Sequence, residues 1–202
     1  MGLIGALKDL LGLGAEAAAR RPADPEDLFG MSTAHVTMAT DLDLEPLPEA
    51  GLCFANVNST DFATALRSAR DIVQAGDEGT IAGVRKDDHG YQWVVLQDED
   101  FEDLVVGVHA AADEFTERGY DSRLLAAVFG FERADGERAY WIYSFRRGAF
   151  YPFAPRPGQE RDHDLEFKLR SVLDGELDLE PDESYWYPLW PDREGGHPWG
   201  EP

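Results

Sequence analysis

The chain has 202 residues, which suits one domain, and 43% of them are hydrophobic, as expected of a globular protein with a core. Its 40 acidic and 18 basic residues give a formal net charge of −22. This charge argues against nucleic acid as the main partner and against electrostatic adhesion to anionic lipid, since both need a basic surface. Nearly all the positive charge is arginine. The composition therefore favours a halophilic protein, whose carboxylates keep the surface hydrated at high salt.

The first 23 residues are predicted to form an amphipathic segment and a linker. Leu3, Leu7, Leu10 and Leu11 recur at helical spacing, although interspersed glycines weaken the helix. Two interpretations of residues 3–11 stay open: a weak peripheral contact with a membrane or a partner helix, and a loosely docked terminus. The start of the chain lacks the basic leader and long apolar run of an export signal. We therefore expect a cytoplasmic protein.

A single domain that alternates hairpins and helices is predicted over residues 24–180. The stretch MSTAHVTMAT alternates as a strand would, and LCFANV is predicted to be a second strand after an acidic, proline-containing loop, DLDLEPLPEAG. Residues 62–73 follow candidate helix caps at 59–61 and are predicted to be helical, with Gly76 as the stop. Residues 80–86 and 90–97 are then predicted to pair across the turn DDHG.

The second half of this domain repeats the pattern. Apolar residues from Phe101 to Phe115 fall at helical spacing. RLLAAVFGFER is apolar on both faces, which predicts a central strand, and a turn at Asp135-Gly136 leads into RAYWIYSFRR. A last helix is predicted at about residues 162–174.

These elements predict an α+β fold, an antiparallel sheet built from hairpins with helices packed mainly on one face. The order helix–hairpin–helix–hairpin–helix is that of secretion chaperones, which is an analogy of fold only. Residues 181–202 are rich in aromatic residues and proline, and we expect them to wrap the domain as a C-terminal tail.

The sequence contains no recognisable motif for catalysis, a cofactor or a metal. The five histidines are scattered, and the GxSxG, P-loop and GxGxxG patterns are absent. Cys53 lies in an apolar run and is expected to be a buried thiol. We therefore predict a protein that is not an enzyme and that has no cofactor and no metal. The rival interpretation is a small-molecule-binding or hydrolytic domain, with a pocket between sheet and tail and His109 or His163 as base.

The stretch SFRRGAFYPFAP, residues 144–155, differs from the acidic chain around it because it combines two arginines with four aromatic residues. One interpretation is core scaffolding, with the arginines paired to carboxylates of the body and the tail wrapped over the sheet. The other is a docking surface, because tyrosine, tryptophan and arginine dominate the hot spots of protein interfaces.

The same stretch, followed by an acidic helix and by LEPDESYWYPLW, resembles the PspAB family of PspA-associated proteins from actinobacteria and halophilic archaea. The resemblance extends from about Asp24 to Asp192 and includes DLF, GYQWVVL, FEDLV and RLLAAVFGF. It implies an accessory protein of a phage-shock-type envelope stress response. It also implies a partner at the inner face of the membrane, either a PspA-like membrane-remodelling protein or an HtpX-type membrane protease. It implies no catalytic residues.

The resemblance favours the docking interpretation of residues 144–155. The predicted partner-binding residues are Arg146, Arg147, Phe150, Tyr151, Phe153, Trp186 and Trp190. The aromatic side chains would anchor an extended segment or a helix, and the arginines would bind partner carboxylates in bidentate fashion. If both arginines were buried in ion pairs, the docking site would lie elsewhere.

Overall fold

The computed structural model describes residues 22–55, 60–76, 81–87, 89–191, 193 and 195–200. The amphipathic segment predicted for residues 3–11 and the side chains of the candidate caps at 59–61 lie outside this description. The described α-helices are α1 (Met31–Leu42), α2 (Thr60–Gly76), α3 (Phe101–Glu117) and α4 (His163–Val172). The strands are β1 (Glu45–Phe54), β2 (Ile81–Lys86), β3 (Gln92–Gln97), β4 (Leu124–Glu132), β5 (Arg138–Ser144), β6 (Ala149–Phe153), β7 (Pro155–Arg156) and β8 (Glu160–Arg161).

The first six strands form one antiparallel sheet in the order β2-β3-β1-β4-β5-β6, and β7 pairs with β8 in a small separate hairpin. The strand β4 lies inside the sheet between β1 and β5, as its apolar sequence predicts, because both of its faces are covered. The prediction of an α+β fold with an antiparallel sheet is confirmed.

The two faces of the sheet have different covers. On one face, residues of the helices such as Leu104, Val108 and Phe115 pack with strand residues such as Phe129 in the larger hydrophobic core. On the other face, strand residues form a second core with side chains of the C-terminal tail. The described helices therefore lie mainly on one face, as predicted.

The strand predicted at residues 31–40 is wrong, because this stretch forms α1. The buried side chains of the helix recur at helical spacing and are Met31, Ala34, Met38 and Leu42. The β-branched residues between them lie outward, and the hydroxyls of Thr33 and Thr40 donate to the carbonyl oxygens of Gly30 and Val36. Such backbone hydrogen bonds let threonine sit in a helix despite its preference for strands.

The loop predicted before LCFANV is also partly wrong, because β1 already begins at Glu45. Its register against β4 shifts between Pro46 and Ala50. This irregularity accommodates Pro48, which has no N–H to donate to a ladder. The partners of β1 are β3 and β4, which come later in the chain.

Candidate docking surface

The turn between β5 and β6 separates the two adjacent arginines. The N–H groups of Arg147 and Gly148 both donate to the carbonyl oxygen of Ser144, at 3.1 and 2.8 Å. Gly148 has a φ of 61°, in the left-handed region that favours glycine. As a result Arg146 is exposed while Arg147 is buried.

Arg147 forms an ion pair inside the protein. Its Nε donates to Oε2 of Glu180 at 2.7 Å, and the Glu180 side chain is fully buried. The second carboxylate oxygen accepts the N–H of Asp182 at 3.0 Å. The guanidinium also lies 3.8 Å from the centre of the Tyr185 ring, a cation–π contact. The bond to Glu180 raises the pKa of Arg147.

Main-chain hydrogen bonds fix Glu180 in this position. The N–H of Phe150 donates to the carbonyl oxygen of Asp178, and the N–H of Glu180 donates to that of Phe150, both at 2.8 Å. Residues 178–180 thus lie along the outer edge of β6, where Phe150 and Leu179 form an isolated parallel bridge. The edge strand is covered by the chain itself, which removes a site for unwanted strand pairing.

The aromatic residues of β6 belong to the two cores. Phe150 packs on Tyr143 in the helix-side core, with ring centres 4.9 Å apart. Tyr151 and Phe153 lie in the tail-side core, and all three side chains are buried. The expectation that Arg147, Phe150, Tyr151 and Phe153 present an exposed surface is therefore wrong, because a strand with covers on both faces has no free side.

The two tryptophans of the tail differ in exposure. Trp186 is buried, and its indole N–H donates to the carbonyl oxygen of Glu180 at 2.9 Å. It is therefore not part of an exposed surface either. Trp190 is half-buried against the Phe153 ring, 5.0 Å between centres. A docking role for Trp190 and for Arg146 stays a prediction.

Arg146 has a neighbour that the sequence analysis missed. Its Nη2 donates to the carbonyl oxygen of Ser122 at 3.4 Å, so the exposed Arg123 lies next to it. Among the described residues, neither guanidinium has a carboxylate oxygen within 4.0 Å. Most other described arginines do have such a partner: Arg70, Arg85, Arg118, Arg133, Arg138, Arg147, Arg156, Arg161 and Arg170. We call Arg123 and Arg146 the arginine corner.

Half-buried aromatic side chains flank the arginine corner. Phe145 packs against Tyr143, with ring centres 5.0 Å apart, and its N–H donates to the carbonyl oxygen of Leu125. Tyr120 lies three residues before Arg123 and packs edge-on to the Phe62 ring. Arginine beside partly exposed aromatic rings is the composition typical of interface hot spots.

The histidines proposed as bases in the rival interpretation have structural contacts. Nε2 of His109 lies 3.2 Å from Oε1 of the exposed Glu26, and its ring packs on Phe29 at 4.5 Å. His163 is exposed and lies 3.3 Å from Glu166, whose carboxylate also accepts from Arg161 and from the N–H of Ala154. In the part of the chain that the structure describes, no three histidine, cysteine or acidic side chains converge as metal ligands. Cys53 is buried, as predicted, and burial raises the pKa of its thiol.

Side chains fill the interface between the sheet and the tail at Tyr140. This residue is buried between Phe153 and Trp199, with ring centres 6.4 and 6.3 Å away. Burial raises the pKa of Tyr140 to about 12, although the neighbouring Arg138 opposes the shift. Burial likewise raises the pKa of Tyr91 to about 12.

We expect the protein to lose stability between pH 10 and pH 12. A phenol whose folded-state pKa lies above its unfolded value stabilises the fold fully below pH 10, and this contribution is lost as the pH rises through the folded value. A shift of the size found for Tyr140 corresponds to about 2–3 kcal/mol. Urea unfolding at several pH values should show a shallower alkaline decline for Tyr140→Phe than for the wild type. Equal slopes would show that Tyr140 does not contribute.

A family model described as PspA associated protein B matches residues 1–199. No curated protein and no solved structure matches the chain. None of the helices in the described ranges combines the length and apolar character needed to cross a bilayer.

Proposed function

Because the chain belongs to the PspA associated protein B family, we propose that it is a non-catalytic accessory protein of a phage-shock-type envelope stress response that binds a protein partner. The observation that supports this proposal best is the arginine corner, two exposed cations with no carboxylate partner among the described residues, in a chain of net charge −22. The partner is a PspA-like membrane-remodelling protein or an HtpX-type membrane protease, and binding it would bring the protein to the inner face of the membrane.

The arginine corner is suited to an acidic segment of the partner. A partner carboxylate that approached Arg147 would have to displace Glu180, which is fully buried. At Arg123 and Arg146, in contrast, a carboxylate gains charge-assisted hydrogen bonds without breaking an internal ion pair. Binding at the arginine corner therefore does not lower the stability of this protein's fold.

High salt determines which contacts matter at this surface. At about 1 M salt the Debye length is about 3 Å, so long-range attraction is screened while direct hydrogen bonds and apolar contacts persist. Phe145 and Tyr120 supply apolar area beside the two guanidinium groups. We infer that bidentate arginine–carboxylate pairs and contacts with these rings bind the partner. Charges farther from the interface then have little effect on the affinity.

We expect Arg123→Gln/Arg146→Gln to weaken binding of the purified PspA-like protein, or of the soluble part of the protease, by at least about tenfold. Loss of an arginine hot spot typically costs about 2 kcal/mol or more. Isothermal titration at the salt concentration of the native cytoplasm measures the change. Because both side chains are exposed, unfolding of the variant should match that of the wild type.

The matched control is Arg67→Gln/Arg70→Gln, which removes the same charge from the exposed side of α2. This control should bind as the wild type does. An equal loss in both variants would mean that net charge and not the arginine corner governs binding. Unchanged affinity in the corner variant would place the docking site elsewhere, and no binding of either partner by the wild type would refute the proposed function.

A further inference from the structure

Trp199 occupies a closely fitted position on the tail side of the sheet. It is fully buried, and its indole N–H donates to Oε2 of Glu49 at 2.9 Å. The rings of Trp93 and Tyr140 flank it, each with its centre 6.3 Å away. Gly51 lies beneath the indole. We call Glu49, Gly51, Trp93 and Tyr140 the Trp199 seat.

Gly51 makes room for the indole. A Cβ atom at this position would lie 2.7 Å from Cε3 of Trp199 and 3.0 Å from Cε3 of Trp93. Side chains do not approach so closely, so even a methyl group would force the indole to move. Gly83 lies on the nearby strand β2, and a Cβ atom there would meet nothing within 4 Å. Of these two glycines, only Gly51 is needed to make room for the Trp199 indole.

Apart from the His197 ring, which lies edge-on to Tyr140 with ring centres 6.4 Å apart, the other contacts of residues 195–200 with the sheet involve the tail's backbone. Arg138 donates to the carbonyl oxygen of Gly195 at 2.7 Å, and Arg85 donates to that of Gly200 at 3.2 Å. The Tyr140 hydroxyl lies 3.5 Å from the carbonyl oxygen of Gly196. Any extended segment carries such carbonyl groups, so the indole, with the His197 ring stacked on it, supplies the selectivity, as side-chain pockets do in peptide recognition.

The tail has a second, separate attachment closer to the domain. The Tyr151 hydroxyl donates to the carbonyl oxygen of Tyr187 at 3.1 Å, and Trp190 packs on Phe153. The link to the Trp199 seat includes the exposed Arg193 and then Gly195, whose φ is 75°. A glycine-containing link between two attachments allows the distal one to leave while the proximal one stays.

We propose that the Trp199 seat is a binding site for an extended segment that carries a tryptophan, and that residues 195–200 are its exchangeable occupant. The replacement is the same segment of a second copy of this chain, so two copies exchange tails. Exchange forms the same contacts in the dimer as in the monomer, which makes it a low-cost route to association. A short link holds each chain's own tail at an effective concentration on the order of millimolar near its Trp199 seat. A free peptide therefore binds there only when a substitution weakens the binding of that chain's own tail.

The test is binding of a fluorescein-labelled peptide with the sequence of residues 193–202 to full-length variants, followed by anisotropy. Trp199→Ala should bind one peptide per chain, at least tenfold more tightly than the wild type, whose own tail competes. Gly51→Ala/Trp199→Ala should not bind, because the added methyl group fills the seat. The matched control, Gly83→Ala/Trp199→Ala, should bind like Trp199→Ala, and a peptide with alanine in place of the tryptophan should not bind.

Failure of the folded Trp199→Ala chain to bind the peptide would overturn the proposal and make the tail a permanent layer of the fold. If this variant does not fold, hydrogen exchange of the indole N–H groups in the wild type gives the answer. An exchangeable tail predicts that Trp199 exchanges at least tenfold faster than the buried Trp141 of β5, through local opening. Equal exchange rates would likewise overturn the proposal. Neither outcome depends on which partner binds the arginine corner.

Discussion

We expect Arg147→Ala to lower the free energy of unfolding by about 3–5 kcal/mol. The substitution leaves the Glu180 carboxylate fully buried without its cation, and an uncompensated buried charge is far more costly than the loss of an exposed pair. It also removes the guanidinium from the Tyr185 ring. Denaturant unfolding followed by far-ultraviolet circular dichroism measures the change.

The neighbouring arginine provides the control for this experiment. Arg146→Ala removes the same charge from an exposed side chain, so its effect on stability should stay within about 0.5 kcal/mol. In Arg147→Met/Glu180→Gln both charges are gone, and the amide oxygen still accepts the N–H of Asp182. This variant should recover most of the lost stability. An Arg147→Ala chain as stable as Arg146→Ala would contradict the buried ion pair.

Much of the fold could be predicted because its patterns are local. The helix α3 is recognisable from the spacing of its apolar residues, and the strand β4 from its apolar run that covers both faces. The helix α1 was missed because it is short and rich in threonine, so that alternation and helical spacing fit almost equally well. What decides between them is the surface against which α1 packs, and that surface is formed by residues distant in the sequence.

The candidate site was harder to predict because exposure is a property of the assembled sheet. Composition drew attention to residues 144–155, but it could not show that residues 178–180 cover one edge of β6 and the tail covers one face. Arg123 gave no signal of its own, since antiparallel pairing of β4 with β5 brings it to Arg146 across more than twenty residues of sequence. The turn between β5 and β6 determines that Arg146 is exposed to a partner while the adjacent Arg147 is buried.

Phe150→Ala should also be strongly destabilising, by about 3–5 kcal/mol, because the ring is almost fully buried in the helix-side core. The cavity would open beside Tyr143, and the main-chain bonds of residue 150 to Asp178 and Glu180 give the strand little freedom to collapse into it. Differential scanning calorimetry of variant and wild type would show the loss as a lower melting temperature.

Comparison with Phe145→Ala separates scaffold from docking surface. This ring is half-buried, so its removal should cost less, about 1–2 kcal/mol, but it should weaken binding of the partner because the ring flanks the arginine corner. Phe150→Ala, studied at a temperature where it is still folded, should bind the partner as the wild type does, since its ring does not reach the surface. If a folded Phe150→Ala chain lost partner binding with little change in stability, residue 150 would belong to the docking surface. That result would contradict the burial of β6.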